Sequence, residues 1–131
     1  MGREHFLHRQ AEKDRKGKKS QSPAHQRSLK QEKELAIRGG GRQTVGSGNK
    51  REKGDIKKYH GVFRVEAKTT TKKSFSVKRE MMEKLEDASV PHGEFPAMII
   101  EFIDDNQNVL SEVAIVPTYM LRVIADGIHN D

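Results

Sequence analysis

A chain of 131 residues with 33% apolar and 34% charged side chains allows one domain with a modest core. It contains no Cys, which excludes a disulfide framework and thiolate zinc sites and fits a cytoplasmic protein. No apolar run reaches bilayer-spanning length, so no membrane partner is expected, and so charged an N-terminus does not read as a signal peptide.

The net charge of +6 is unevenly spread. Residues 1–27 hold 8 Lys/Arg against 3 Asp/Glu, residues 28–86 hold 16 against 8, and residues 87–131 hold 1 against 8. Basic charge gathered in the first two-thirds of a chain suits a polyanionic partner; a solvated basic surface is the blander reading.

In chain order, residues 1–27 show no sustained hydrophobic period and too few apolar side chains to offset the cost of ordering a backbone. They read as a disordered basic arm that adds sequence-blind phosphate attraction, with residues 28–131 as the folded domain. His5, His8 and His25 fall in this arm without carboxylate or Cys at metal-ligand spacing. A helix is predicted over Ser28–Arg38, capped by Ser28 and stopped by Gly39–Gly41. A short extended piece at Arg42–Val45 and a loop at Gly46–Asn49 follow.

Asp55-Ile56 opens a strand that turns at Tyr59-His60-Gly61 into a second strand over Val62–Lys68. There Phe63, Val65 and Ala67 face one side, and Arg64, Glu66 and Lys68 the other. Thr69, Thr70 and Thr71 either donate hydrogen bonds to phosphate or continue the strand. A helix over Val77–Asp87, capped by Ser76, sets Val77, Met81 and Leu85 on one face, with Met81 and Met82 read as core. Ala97–Ile103 and Val109–Val116 form a hairpin about the turn Asp104–Asn108, in which Asp104 and Asp105 are turn residues. Pro117 introduces a last helix, Thr118–Ala125, ended by Gly127. The order αβββαββα implies a small mixed sheet flanked by helices. His60 and His92 fall in loops and read as solvent-facing.

The sharpest chemical signal is Asp55 followed by Glu66-Ala67-Lys68. Strand periodicity puts Glu66 and Lys68 on one face, and a hairpin brings Asp55 beside them. Two close carboxylates repel, and a hard divalent cation relieves that repulsion; Mg²⁺ fits best, with Mn²⁺ able to substitute. Such a cation polarises a phosphodiester, while Lys68 orients or deprotonates the attacking water. Taken alone, Glu66 and Lys68 would be two charges on a solvated strand.

Gln31-Glu32-Lys33-Glu34-Leu35, Arg42, Gly46-Ser47-Gly48, Gly54-Asp55 and Val65-Glu66-Ala67-Lys68 together resemble the PD-(D/E)xK nucleases. Within them the chain is most similar to the archaeal and phage-type Holliday-junction resolvases, through roughly residue 116. The resemblance implies an α/β, restriction-endonuclease-like fold and a Mg²⁺-dependent endonuclease, a homodimer acting on branched DNA such as four-way junctions. It makes Asp55 and Glu66 metal carboxylates and Lys68 the catalytic lysine. Glu32 is the helix glutamate that reaches the metal, with Glu34 as the alternative. Arg42 and Ser47 would approach DNA, joined by Lys50, Arg51, Lys72, Lys73, Lys78 and Arg79 beside the site. A phage or other mobile-element source is implied as well, with the host cytoplasm as the place of action.

The chain departs from the family pattern in having Gly54 for the proline and Ala67 for a β-branched residue. Two other functions stay open on these residues. One is another nuclease of the same fold (restriction-like, nicking or repair). The other is a non-catalytic basic nucleic-acid-binding protein, against which stand 5% aromatics and no Trp.

Overall fold

The computed structural model describes residues 22–44 and 55–130. In chain order these form helix α1 (Pro23–Gly39) and strands β1 (Arg42–Gln43), β2 (Ile56–Tyr59) and β3 (Phe63–Thr70). Helix α2 (Arg79–Ser89), a 3₁₀ turn (Val90–His92), strands β4 (Phe95–Ile103) and β5 (Val109–Ile115) and helix α3 (Tyr119–His129) follow. The five strands lie in one sheet in sequence order. Neighbours are antiparallel except β3 and β4, which run parallel from Phe63↔Phe95 to Thr70↔Phe102 because α2 carries the chain across between them. The fold is therefore α/β, a mixed sheet with helices against it.

The core lies on two faces of the sheet. Leu35 of α1 packs with Ile56, Val65, Ala67, Ala97 and Ile99. On the other face Leu85 of α2 meets Met98 and Ile100, with Met81 and Met82 closing over them. Strand β4 contributes to both clusters, which explains why its sequence reads as an apolar run and not as an alternation.

Helix α1 begins at Pro23, not at Ser28. Ser22 Oγ accepts the His25 N–H at 3.1 Å, and Pro23 occupies the first turn, where its missing donor costs nothing. Residues 23–27, read as the end of an unfolded arm, are thus helical, while residues 1–21 lie outside the described residues. The signal missing from local pattern is tertiary: Arg27 bonds the buried Glu101, 74 positions away. Ser28, the expected cap, instead donates its hydroxyl to His25 O at 2.8 Å. The helix closes at Gly40, whose φ of 66° is the left-handed cap that favours glycine. Gly39 is required for a different reason, since a Cβ there would overlap the Tyr59 ring.

Two other boundaries move. Helix α2 starts at Arg79, so Ser76 is not its cap and Val77 is exposed before it. Residues 74–78 run as non-helical chain between the sheet and the helix. Helix α3 passes through Gly127 and ends at His129, with Asn130 as its cap. A glycine inside a helix costs about 1 kcal/mol but stops it only by turning left-handed, and Gly127 does not take that conformation.

Candidate active site

The candidate site forms where β2 ends beside β3. The last residue pair of that ladder toward the site is Ile56↔Val65. One residue upstream, the buried Asp55 donates its N–H to Val65 O at 2.7 Å and accepts the Thr44 N–H at 3.0 Å. Its side chain then takes over from the backbone, because Asp55 Oδ2 accepts the Ala67 N–H at 2.7 Å. That bond fixes the carboxylate against β3 between Glu66 and Lys68. On the strand itself Lys68 Nζ stands 3.1 Å from Glu66 Oε1, both side chains partly buried, so the two share one face as period-two geometry requires.

A cleft of about 320 Å³ opens over these groups. Asp55, Glu66, Ala67, Lys68 and Thr69 form its sheet side, and Ala24, His25, Ser28 and Glu32 of α1 its helix side. Of the two helix glutamates, only Glu32 lines the cleft. Its Oε2 lies 3.5 Å from Gln43 Nε2. Glu34 is turned to Arg27, whose Nη2 is 2.6 Å from Glu34 Oε2, and this hydrogen bond holds the Glu34 carboxyl below its ordinary pKa. The same guanidinium bonds Glu101, so its own pKa is raised, first by Glu101 and then by Glu34.

Among the described residues no group of three or more His, Asp or Glu side chains gathers closely enough to hold a metal ion. Glu32, Asp55 and Glu66 share the cleft without converging on one point.

The basic residues are spread more widely. Arg42 is exposed on β1, opposite Lys57. Lys72 and Lys73 are exposed in the bend after β3 and help line a second cleft of about 360 Å³ with Phe102, Ile103, Leu110 and Ser111. Lys78 precedes α2, and Arg79 pairs with Glu83 at 3.0 Å in solvent. Ser47, Lys50, Arg51 and Gly54 lie outside the described residues. Thr69 and Thr70 continue β3, and Thr69 donates to Gln31 Oε1 at 2.8 Å. His60 and His92 are exposed. Asp104 accepts the Asn108 N–H, the Asn108 side-chain amide and the Asn106 N–H, bonds that depress its pKa and mark it as a turn residue.

No family model, curated protein or solved structure matches this chain. The functional reading therefore rests on the cleft.

Several residues around it escape sequence reasoning. Gln31 and Glu101 are buried polar groups, and Glu101 interrupts an otherwise apolar strand, which is a visible signal of burial. Its partner Arg27 is not visible, being distant in sequence. Arg64 and Glu94 form a second buried pair at 2.8 Å, and Glu94 Oε2 also accepts the Lys58 N–H, tying the start of β4 to the β2–β3 hairpin. His25 and Ser28, assigned to the arm or to a cap, line the cleft.

Proposed function

We propose that this chain is a divalent-metal-dependent DNA endonuclease with a restriction-endonuclease-like sheet, acting on branched DNA as a homodimer. One observation carries the reading: Asp55, the Glu66–Lys68 pair and Glu32 line a single cleft at the open end of the β2–β3 hairpin. The helix–hairpin–crossover order, with the acidic residues at that hairpin, supports the fold reading.

The proposed ion is Mg²⁺, which needs only one or two protein carboxylates and completes its shell with water and substrate phosphate. Asp55 and Glu66 would hold the ion, with Glu32 reaching it through water. When bound, the ion supplies positive charge that polarises the phosphodiester. The protein's own part is positional. Asp55 is locked by the Ala67 N–H, and Glu66 holds the Lys68 ammonium at the cleft wall. From there Lys68 orients the attacking water and donates to the charged phosphoryl oxygens. Arg42, Lys72, Lys73, Lys78 and Arg79 would hold the DNA backbone around the cleft, together with Ser47, Lys50 and Arg51.

A second copy would cover exposed apolar side chains of β5 and α3. Val109, Leu110 and Val113 of β5 and Tyr119, Leu121, Val123, Ile124 and Ile128 of α3 are exposed. No helix among the described residues is long and apolar enough to cross a membrane.

The test is cleavage of four-way junction, flap, nicked and linear duplex DNA with Mg²⁺ or Mn²⁺. Asp55→Asn and Lys68→Ala abolish cutting and leave DNA binding within a few-fold. Cutting retained in either variant refutes the site. Equal cutting of linear duplex refutes the branched-DNA preference, and DNA binding without metal-dependent cutting identifies a non-catalytic binder.

A further inference from the structure

Helix α1 buries two large side chains one turn apart, Gln31 and Leu35. Leu35 enters the apolar cluster. Gln31, 1% exposed, occupies the position where an apolar residue would extend that stripe. A buried amide is costly unless hydrogen-bonded, and this one is used at both ends. Gln31 Nε2 donates to Lys68 O at 3.2 Å, and Gln31 Oε1 accepts from Thr69 Oγ1 at 2.8 Å.

Together with Asp55, Gln31 gives three consecutive residues of β3 a side-chain hydrogen bond. Ala67 is held through its N–H, Lys68 through its carbonyl and Thr69 through its hydroxyl. These residues lie past Val65, where the pairing with β2 ends. Side chains thus add to the β4 ladder in holding the segment of β3 that carries the Lys68 ammonium. Glu32 follows Gln31 directly, so the same amide that holds Lys68 sets the position of the helix on which Glu32 reaches the cleft.

We infer that Gln31 is a positioning residue for the nuclease site, holding Lys68 and Glu32 in register with Asp55. The inference rests on the nuclease reading and adds to it a residue that touches neither DNA nor metal. A misplacement of reacting groups by about 1 Å costs up to about a hundredfold in rate, so loss of this clamp appears in turnover, not in DNA affinity.

Three variants of the full chain test it, with branched DNA and Mg²⁺, at a temperature below all their unfolding transitions. Gln31→Leu keeps the volume and removes both bonds; kcat falls about tenfold or more while KM stays within about twofold. Gln31→Glu restores the clamp only when its carboxyl is protonated, because the neutral group donates to Lys68 O and the carboxylate cannot. Its kcat relative to the parent therefore falls as pH rises, a trend that a purely structural role does not produce. Thr69→Val deletes a single hydroxyl and gives a smaller kcat loss, which serves if Gln31→Leu does not fold. A Gln31→Leu or Thr69→Val chain with parental kcat, a loss confined to KM, or a Gln31→Glu ratio flat with pH overturns the inference while leaving a cleaving parent as a nuclease. A parent that cuts no DNA form overturns both.

Discussion

Replacing Arg27 with alanine removes the partner of a buried carboxylate. Glu101 is 2% exposed, and the Arg27 guanidinium reaches both of its oxygens while also bonding Glu34, which is 57% exposed. One arginine thus makes two ion pairs in very different surroundings, and burial decides which matters. Removing one member of a buried pair leaves an uncompensated charge and costs about 3–5 kcal/mol, a large part of the roughly 5–15 kcal/mol of a typical domain. The exposed pair is screened by solvent, so Glu34→Ala costs under about 1 kcal/mol. Replacing Arg27 and Glu101 together with methionine removes the desolvation cost with the attraction, and the double variant lies within a few kcal/mol of the parent or above it. Urea unfolding at pH 7 of the parent, both alanine variants and the double variant measures this as shifts in midpoint at constant m. An Arg27→Ala chain no less stable than Glu34→Ala refutes the reasoning, because burial of Glu101 would then carry no penalty.

Three further outcomes follow from the geometry. The folded-state pKa of Glu34 is depressed by Arg27, so its contribution to stability is full above its ordinary value of 4.5 and disappears as pH falls through the lower folded value. The stability difference between parent and Glu34→Gln, followed by urea titration, is therefore constant near neutrality and shrinks only in acid; a difference that grows in acid reverses the sign. Gly39→Ala forces the Tyr59 ring to move and destabilises by about 1–3 kcal/mol, and Tyr59→Ala in the same chain relieves most of that coupling, which a double-mutant cycle reads directly. Leu121→Glu with Ile128→Lys, both at exposed positions on α3, converts a dimer to a monomer in sedimentation without lowering the unfolding midpoint measured at monomeric concentration; a parent already monomeric at high concentration removes the dimer.

Much of the fold was legible because its signals are local. The alternation of Phe63-Arg64-Val65-Glu66-Ala67, the apolar run of β4 and the Asp104–Asn108 turn each carry their structure within a few residues. The boundaries that moved are those set by distant contacts or by chain geometry. Helix α1 extends back to Pro23 because Ser22 caps it and Arg27 finds Glu101 across the sheet. Val77 is lost from α2 because the chain between β3 and the helix is not yet helical there. Gly127 suggests a stop, yet the glycines that close helical segments here are the left-handed ones, Gly40 after α1 and Gly93 after the 3₁₀ turn.

The site divides along the same line. Spacing alone brings Glu66 to Lys68, and a hairpin brings Asp55 to both, so the three residues closest to the proposed chemistry were readable. Choosing Glu32 over Glu34 was not, since both fall on one short helix and either suits a helix glutamate. Within α1 Arg27 takes Glu34, and its bonds to Glu101 of β4 dock the helix with Glu32 on the cleft. Gln31 and Glu101 complete that docking through contacts 37 and 74 residues apart in sequence. A periodic pattern reports which face of a helix is buried, whereas the polar groups that fix its rotation and height on a sheet depend on pairings that only the folded chain creates. In this protein those pairings are the ones that determine which carboxylates share the cleft.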